Sequence, residues 1–152
     1  MPTHGFHVFG VYPWTRLLSS TDPGPALRVL DSCRIRWAQV SAVEAEHATV
    51  RGRHLEWDGR ALGLGEEIEE RVRLTEDGRA FVTEISPGDW LAVHWDRACE
   101  RLTVDEIWQL RRWTDWQLAA TNARLARETS ATSGSAAPPQ LPQPIAETGG
   151  AW

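Results

Sequence analysis

The sequence predicts a mainly β fold: a small closed barrel of short strands, then one long C-terminal helix and a disordered tail. Three observations carry this. Short runs of alternating apolar and polar residues between residues 26 and about 102 are separated by turns at Asp58-Gly59, Asp77-Gly78 and Pro87-Gly88. A capping signature, Thr103-Val104-Asp105-Glu106, opens an amphipathic stretch. After Glu128 the composition turns to Ser, Thr, Ala, Gln and Gly, with prolines at Pro138, Pro139, Pro142 and Pro144.

The elements divide into three zones. Residues 1–25 form an aromatic docking segment and loop: Phe6, Phe9, Tyr12 and Trp14 lead into Ser19-Ser20-Thr21-Asp22-Pro23-Gly24-Pro25. An apolar run near a chain start must dock, either on this domain or on a partner.

Residues 26–127 form the β-barrel-plus-helix domain. Ala26–Asp31 reads as a short strand. Arg34–Val43 alternates with Ile35 and Trp37 on one face, and Glu44-Ala45-Glu46 turns it into the run at His47–Arg53. Leu55-Glu56-Trp57 enters a type I′ hairpin at Asp58-Gly59. Ile68–Leu74 alternates with one slip, the mark of a bulge. Asp77-Gly78 makes a second hairpin, and Ser86-Pro87-Gly88-Asp89 turns into Trp90–Trp95. Closure of these strands removes exposed sheet edges. From Thr103 to about 127, Ile107, Leu110, Thr114, Leu118, Thr121 and Leu125 recur at helical spacing. Trp108, Trp113 and Trp116 widen that stripe, which suits a helix with two contacts, one of them the barrel. Residues 128–152 are the tail.

Composition narrows the function classes. The chain has 152 residues, a net charge of −5 and 41% hydrophobic residues, which suits a single globular domain. All 16 basic residues are Arg, interleaved with Asp and Glu, so no basic block exists to neutralise nucleic-acid phosphates. No run approaches the ~20 apolar residues of a membrane helix. Two cysteines without a CxxC, and no secretory signal, suggest reduced thiols in the cytoplasm. Nine Trp is the outlying number: each is a large amphipathic ring that suits both cores and interfaces.

Few residues carry candidate chemistry. Cys33 offers a thiolate for metal ligation, and the alternative is an inert, half-buried thiol. His94 ends a strand and suits a ligand or general base, the alternative being a histidine bonded to backbone. Cys99 faces helix packing without a role. His4 and His7 lack the further ligands of a metal site. Glu66, Glu67, Glu69 and Glu70 read as a solvated strand edge rather than a catalytic pair. No nucleophile elbow, zinc-protease motif or phosphate loop is present, so an enzyme is not expected.

The run Pro87-Gly88-Asp89-Trp90-Leu91-Ala92-Val93-His94, followed by Leu102-Thr103-Val104-Asp105-Glu106, resembles a signature of the HypC-type hydrogenase maturation chaperones. Upstream, Cys33-Arg34-Ile35-Arg36-Trp37-Ala38-Gln39-Val40 is similar to their Cys-led opening, although theirs follows the initiator Met and Cys33 is internal. The segment Phe6-His7-Val8-Phe9-Gly10-Val11-Tyr12-Pro13-Trp14 also resembles the junction in an uncharacterised actinobacterial, hydrogenase-associated family with a helical N-terminal half. The first resemblance implies an OB-like barrel with a C-terminal helix. It also implies a non-enzymatic accessory role in nickel–iron hydrogenase maturation, with Cys33 and His94 contacting a transient iron centre. The partner would be the large-subunit precursor or a maturation scaffold. The second implies an absent N-terminal helical domain as a partner. Set against both is a generic barrel that binds a protein through Phe6, Phe9, Tyr12, Trp14, Trp108, Trp113 and Trp116, with no metal. A Cys/His hydrolase is the remaining alternative.

Overall fold

A computed structural model describes residues 7–11 and 14–133 of the chain. His4, Phe6, Tyr12 and the proposed tail from residue 134 onward lie outside the described residues.

Two prolines and a small residue shape the first long element. Helix α2 (Gly24–Cys33) follows the short α1 (Trp14–Leu17), and Pro25 stands in its first turn, where no amide partner is lost. Asp22 Oδ1 accepts the Gly24 amide at 3.1 Å. Ala26 and Leu30, four apart, are buried. The expected strand at Ala26–Asp31 is therefore a helix. Six residues of apolar and polar alternation fit either period, and the flanking prolines decide for the helix.

The sheet comprises β1 (Arg36–Glu44), β2 (His47–Trp57), β3 (Leu62–Arg73), β6 (Trp90–His94) and β7 (Arg97–Leu102). A small hairpin, β4 (Thr75–Glu76) and β5 (Arg79–Ala80), stands apart. The five strands are mixed in direction, paired in the order β1-β2-β3-β7-β6. β6 returns to β1, and β3 meets β7 through the parallel pair Arg73↔Arg97. Both Asp77 and Gly78 have positive φ, as a type I′ hairpin needs. The Asp58-Gly59 turn differs from expectation, because of the two residues only Gly59 has positive φ. Asp58 Oδ1 instead accepts the Arg60 and Ala61 amides, each at 2.7 Å, and rounds the loop as an Asx-type turn.

The bulge expected within Ile68–Leu74 is not there, since that stretch pairs with β2 in unbroken register; the pairing shifts just before it, at Gly65-Glu66 opposite His54, between Arg53↔Glu67 and Leu55↔Leu64. At Gly52 the strands approach closely, and a Cβ there would stand 3.1 Å from that of Ala38.

Helix α3 (Val104–Ser133) begins as expected: Thr103 N donates to Glu106 Oε2 at 2.8 Å and Glu106 N to Thr103 Oγ1 at 3.3 Å. It continues beyond the expected end near 127. Thr129 and Ser130 hydroxyls bond back to the Leu125 and Ala126 carbonyls, so these polar residues are absorbed into helix rather than tail. Asn122 bonds both the amide and the carbonyl of Leu62, fixing α3 to β3.

Two cores result. The first, inside the strands, holds Ala38, Val40, Val50, Val72, Leu91 and Val93. The second joins Val8, Phe9, Leu18, Leu30, Leu55 and Leu118, with Trp14 and Cys33 packed on it. It therefore draws the N-terminal segment, α2, the β2–β3 hairpin and α3 together. Phe9, expected at a partner surface, is only 3% exposed, and Trp14 is half-buried. Arg124 explains the docking: its guanidinium donates to the Phe9 and Gly10 carbonyls and to Thr15 Oγ1. The wide helical turn His7–Val11 is thereby held against this domain.

Candidate functional site

Three places merit description: the expected Cys33–His94 pair, a polar cleft that the sequence reading missed, and the outer face of α3.

Cys33 is the last residue of α2, not the start of a strand. Its side chain packs against the second core, and burial pushes the thiol above its ordinary pKa, away from the thiolate form. His94 ends β6 opposite Arg97. The two segments meet through backbone: Trp95 N donates to Ser32 O at 2.9 Å. No cluster of three or more His, Cys, Asp or Glu side chains arranged to hold a metal occurs among the described residues. Cys99, expected to face helix packing, is exposed, and lines an open crevice between β7 and α3 with Glu106, Leu110 and Trp113.

The polar cleft follows from strand parity. Arg36 is in phase with Ala38 and Val40, His54 with Val50, and Glu70 with Val72. All three thus belong to the inward-facing set and cap one end of the first core. Asp31 on α2, with Arg34 just beyond it, closes over them. Asp31 Oδ1 accepts Arg34 Nε at 3.0 Å and the Leu55 amide at 2.8 Å, while Oδ2 accepts His54 Nδ1 at 2.5 Å. Arg36 is 4% exposed and donates through Nη2 to Glu70 Oε2 at 3.1 Å and to the Trp95 carbonyl at 2.6 Å. Arg34 Nη2 reaches the Arg53 carbonyl at 2.5 Å. A cleft of about 310 Å³ opens over this set, bordered by Arg28 and Trp95.

The electrostatics are coupled. Hydrogen bonding to Asp31, then to Glu70, raises His54 from 6.5 to about 9, against burial and the Arg36 charge. The ring is an imidazolium at neutral pH. Arg36 Nη1, 3.1 Å and 3.3 Å from its two nitrogens, then packs against it as a second cation, and both are held by the same two carboxylates. Burial pushes Asp31 up, but the His54 bond, the Arg34 charge and the Leu55 amide outweigh it and hold its carboxyl below the usual range. A ring so fully protonated is no general base at neutral pH. Trp95 adopts φ +57°, unusual for a bulky residue, and its bonds to Ser32 and Arg36 hold it there.

Glu70 departs from the solvated edge expected of it. Glu69 is there, paired at the surface with Arg51 at 3.3 Å, but Glu70 is turned inward. The available signal was phase: Arg36, His54 and Glu70 are charged or titratable residues in step with apolar ones, and they carry both signs.

The outer face of α3 bears the third feature. Ile35 and Trp37 do share a face, and it is the outer side of β1 beneath this helix, with the Arg111 guanidinium 5.6 Å from the Trp37 ring. Thr114, Leu118, Thr121 and Leu125 are buried, as their spacing predicts. Trp108, Trp113 and Trp116 are 63%, 53% and 57% exposed. Trp113 and Trp116 meet edge to face at 5.9 Å, and Arg112 lies 5.7 Å from the Trp108 ring. Among the described helices none is long and apolar enough to cross a membrane.

The sequence pattern of DUF6390, a family of unknown function, matches residues 1–128, and the chain belongs to that family. No curated protein matches it.

Proposed function

We propose that this member of DUF6390 is a non-enzymatic docking module that engages a protein through the tryptophan face of α3. The carrying observation is the exposure of Trp108, Trp113 and Trp116, each over half exposed, on a helix whose opposite side is buried. Tryptophans so placed leave a large apolar area in water, and Trp is enriched among the residues that dominate binding energy. We read the ring of strand pairings as an OB-like barrel. The Asp31 cluster is its structural clasp, since these charges are bonded within the chain and tie α2 to the strands.

A photo-crosslinking residue at Arg112 is expected to yield a protein adduct in the source cells, and one at Glu69 on the strand surface is not. No adduct from position 112, or equal yields from both, would sink this reading.

A second reading places the module in nickel–iron hydrogenase maturation, with Cys33 and His94 contacting the large-subunit precursor or a transient iron centre. It is favoured by the Trp95–Ser32 backbone bond, which joins the ends of α2 and β6 where the two residues stand, and by the resemblance of Pro87–His94. On this reading Cys33→Ser abolishes co-purification with that precursor while the thermal transition stays cooperative. Undiminished co-purification would count decisively against it.

A further inference from the structure

The exposed face of α3 is graded in size along its length. Trp108 and Trp113 stand in its N-terminal half, Trp116 follows, and the next turns present the small residues Ala119, Ala120 and Ala123, all exposed. At about 100° per residue these positions share one broad arc, turned away from the buried line through Leu118 and Leu125. The charge is graded as well. Asp105 heads this arc and Arg127 closes it, both exposed and neither in an ion pair among the described residues, with Arg112 between them beside Trp108.

A surface with bulk and a terminal acid at one end, and small residues and a terminal arginine at the other, is complementary to its own reverse. We propose that the occupant of this face is a second copy of the chain, its α3 lying antiparallel across the first with the two-fold axis at Trp116. The proposal rests on the reading of this face as a docking surface and names its partner.

The register follows from the symmetry. Asp105 and Arg127 are equally far along the chain from Trp116, so each Asp105 meets the other copy's Arg127. Trp113 of each copy falls opposite Ala120, at an apolar groove of about 240 Å³ between Trp116, Ala120 and Phe9. Trp108 falls on the side of Ala123. Large residues thus meet small ones at both ends, as interdigitated packing needs. The three tryptophans would cover roughly 400 Å² per copy, about half of the standard interface area on one side, and Asp105, Gln109, Arg112 and Arg127 flank them and extend it. An isologous two-fold contact also closes on itself, leaving no unpaired face to propagate a fibre.

Sedimentation equilibrium of the full chain tests this, with Asp105→Arg and Arg127→Asp made singly and together, and Trp113→Ala as a size variant. All are exposed positions, and far-UV circular dichroism checks that each variant is folded. The expected result is a dimer. Each single reversal weakens it about tenfold or more, because like charges then oppose at two symmetric places, and the double reversal restores it to within about threefold. Trp113→Ala weakens it about tenfold as well. A dimer indifferent to all these variants uses another face and overturns the proposal. So does a monomer at every concentration. If that monomer still yields an adduct with a different protein from position 112, the docking reading survives without the second copy; with no adduct, both fall.

Discussion

Replacing Asp31 by Ala is expected to cost about 3–5 kcal/mol of folding stability, the usual penalty for leaving buried charge uncompensated. Asp31 is buried and serves four donors or cations at once: Arg34, His54, the Leu55 amide and, at 3.7 Å, Arg36. Truncation strands Arg34 and Arg36, both nearly inaccessible to water, with Glu70 as the only carboxylate left in the set. It also weakens the tie between α2 and β2, because the Leu55 amide loses its acceptor. Domains of this size are stable by about 5–15 kcal/mol, so the variant should be marginal. Asp31→Asn keeps the volume and an acceptor oxygen but not the charge, and should recover part of the loss. Urea unfolding followed by tryptophan fluorescence measures both. A loss under about 1 kcal/mol for Asp31→Ala would show that the cluster does not hold the helix.

Stability is also expected to fall as pH rises from about 6.5 to above 9, through His54. Its folded pKa of about 9 lies above the unfolded value of 6.5. The folded state therefore holds the proton more tightly. The contribution is complete below pH 6.5 and is lost as pH rises through 9. The ring is about a quarter exposed, so solvent screening reduces the effect to roughly 1–2 kcal/mol. Asp31 acts at the other end of the scale with opposite sign: its depressed pKa contributes stability that is lost as pH falls below the usual carboxylate range. His54→Gln should flatten the alkaline slope, and Asp31→Asn should do likewise by removing the main cause of the raised pKa. An unchanged slope in His54→Gln would assign the pH dependence elsewhere.

The local devices of this fold were legible where the chemistry is local. The Thr103–Glu106 cap, the Asp77-Gly78 hairpin and the buried line of Thr114, Leu118, Thr121 and Leu125 each depend on residues a few positions apart. Features set by distant partners were not. Ala26–Asp31 carried too few residues to separate two periods, and its helix is stabilised by contacts with the second core. Phe9 looked like a surface aromatic because Arg124, far along the chain, is what holds its backbone inward.

The candidate sites divide in the same way. The three helix tryptophans were readable as more than a single buried stripe, since helical period alone separates their arc from that of Leu118. Cys33 and His94 carried the right chemistry for a ligand pair, yet whether a thiol faces a core or a rim depends on how α2 docks, and here it packs inward. Asp31, Arg34, Arg36, His54 and Glu70 are spread over forty positions of sequence and four elements. Their opposite charges compensate one another only after the strands are in register.

By itself, then, the sequence determined a mainly β chain with its turns, its long capped helix and the excess of tryptophan on that helix. These follow from period, propensity and capping, which act over one or two turns of chain. Only the tertiary structure decided that Arg36 and Glu70 are inside, that Phe9 is core and that Trp108, Trp113 and Trp116 remain uncovered. Burial and ion pairing are properties of the surroundings of a side chain, and those surroundings are assembled from the whole length of the fold.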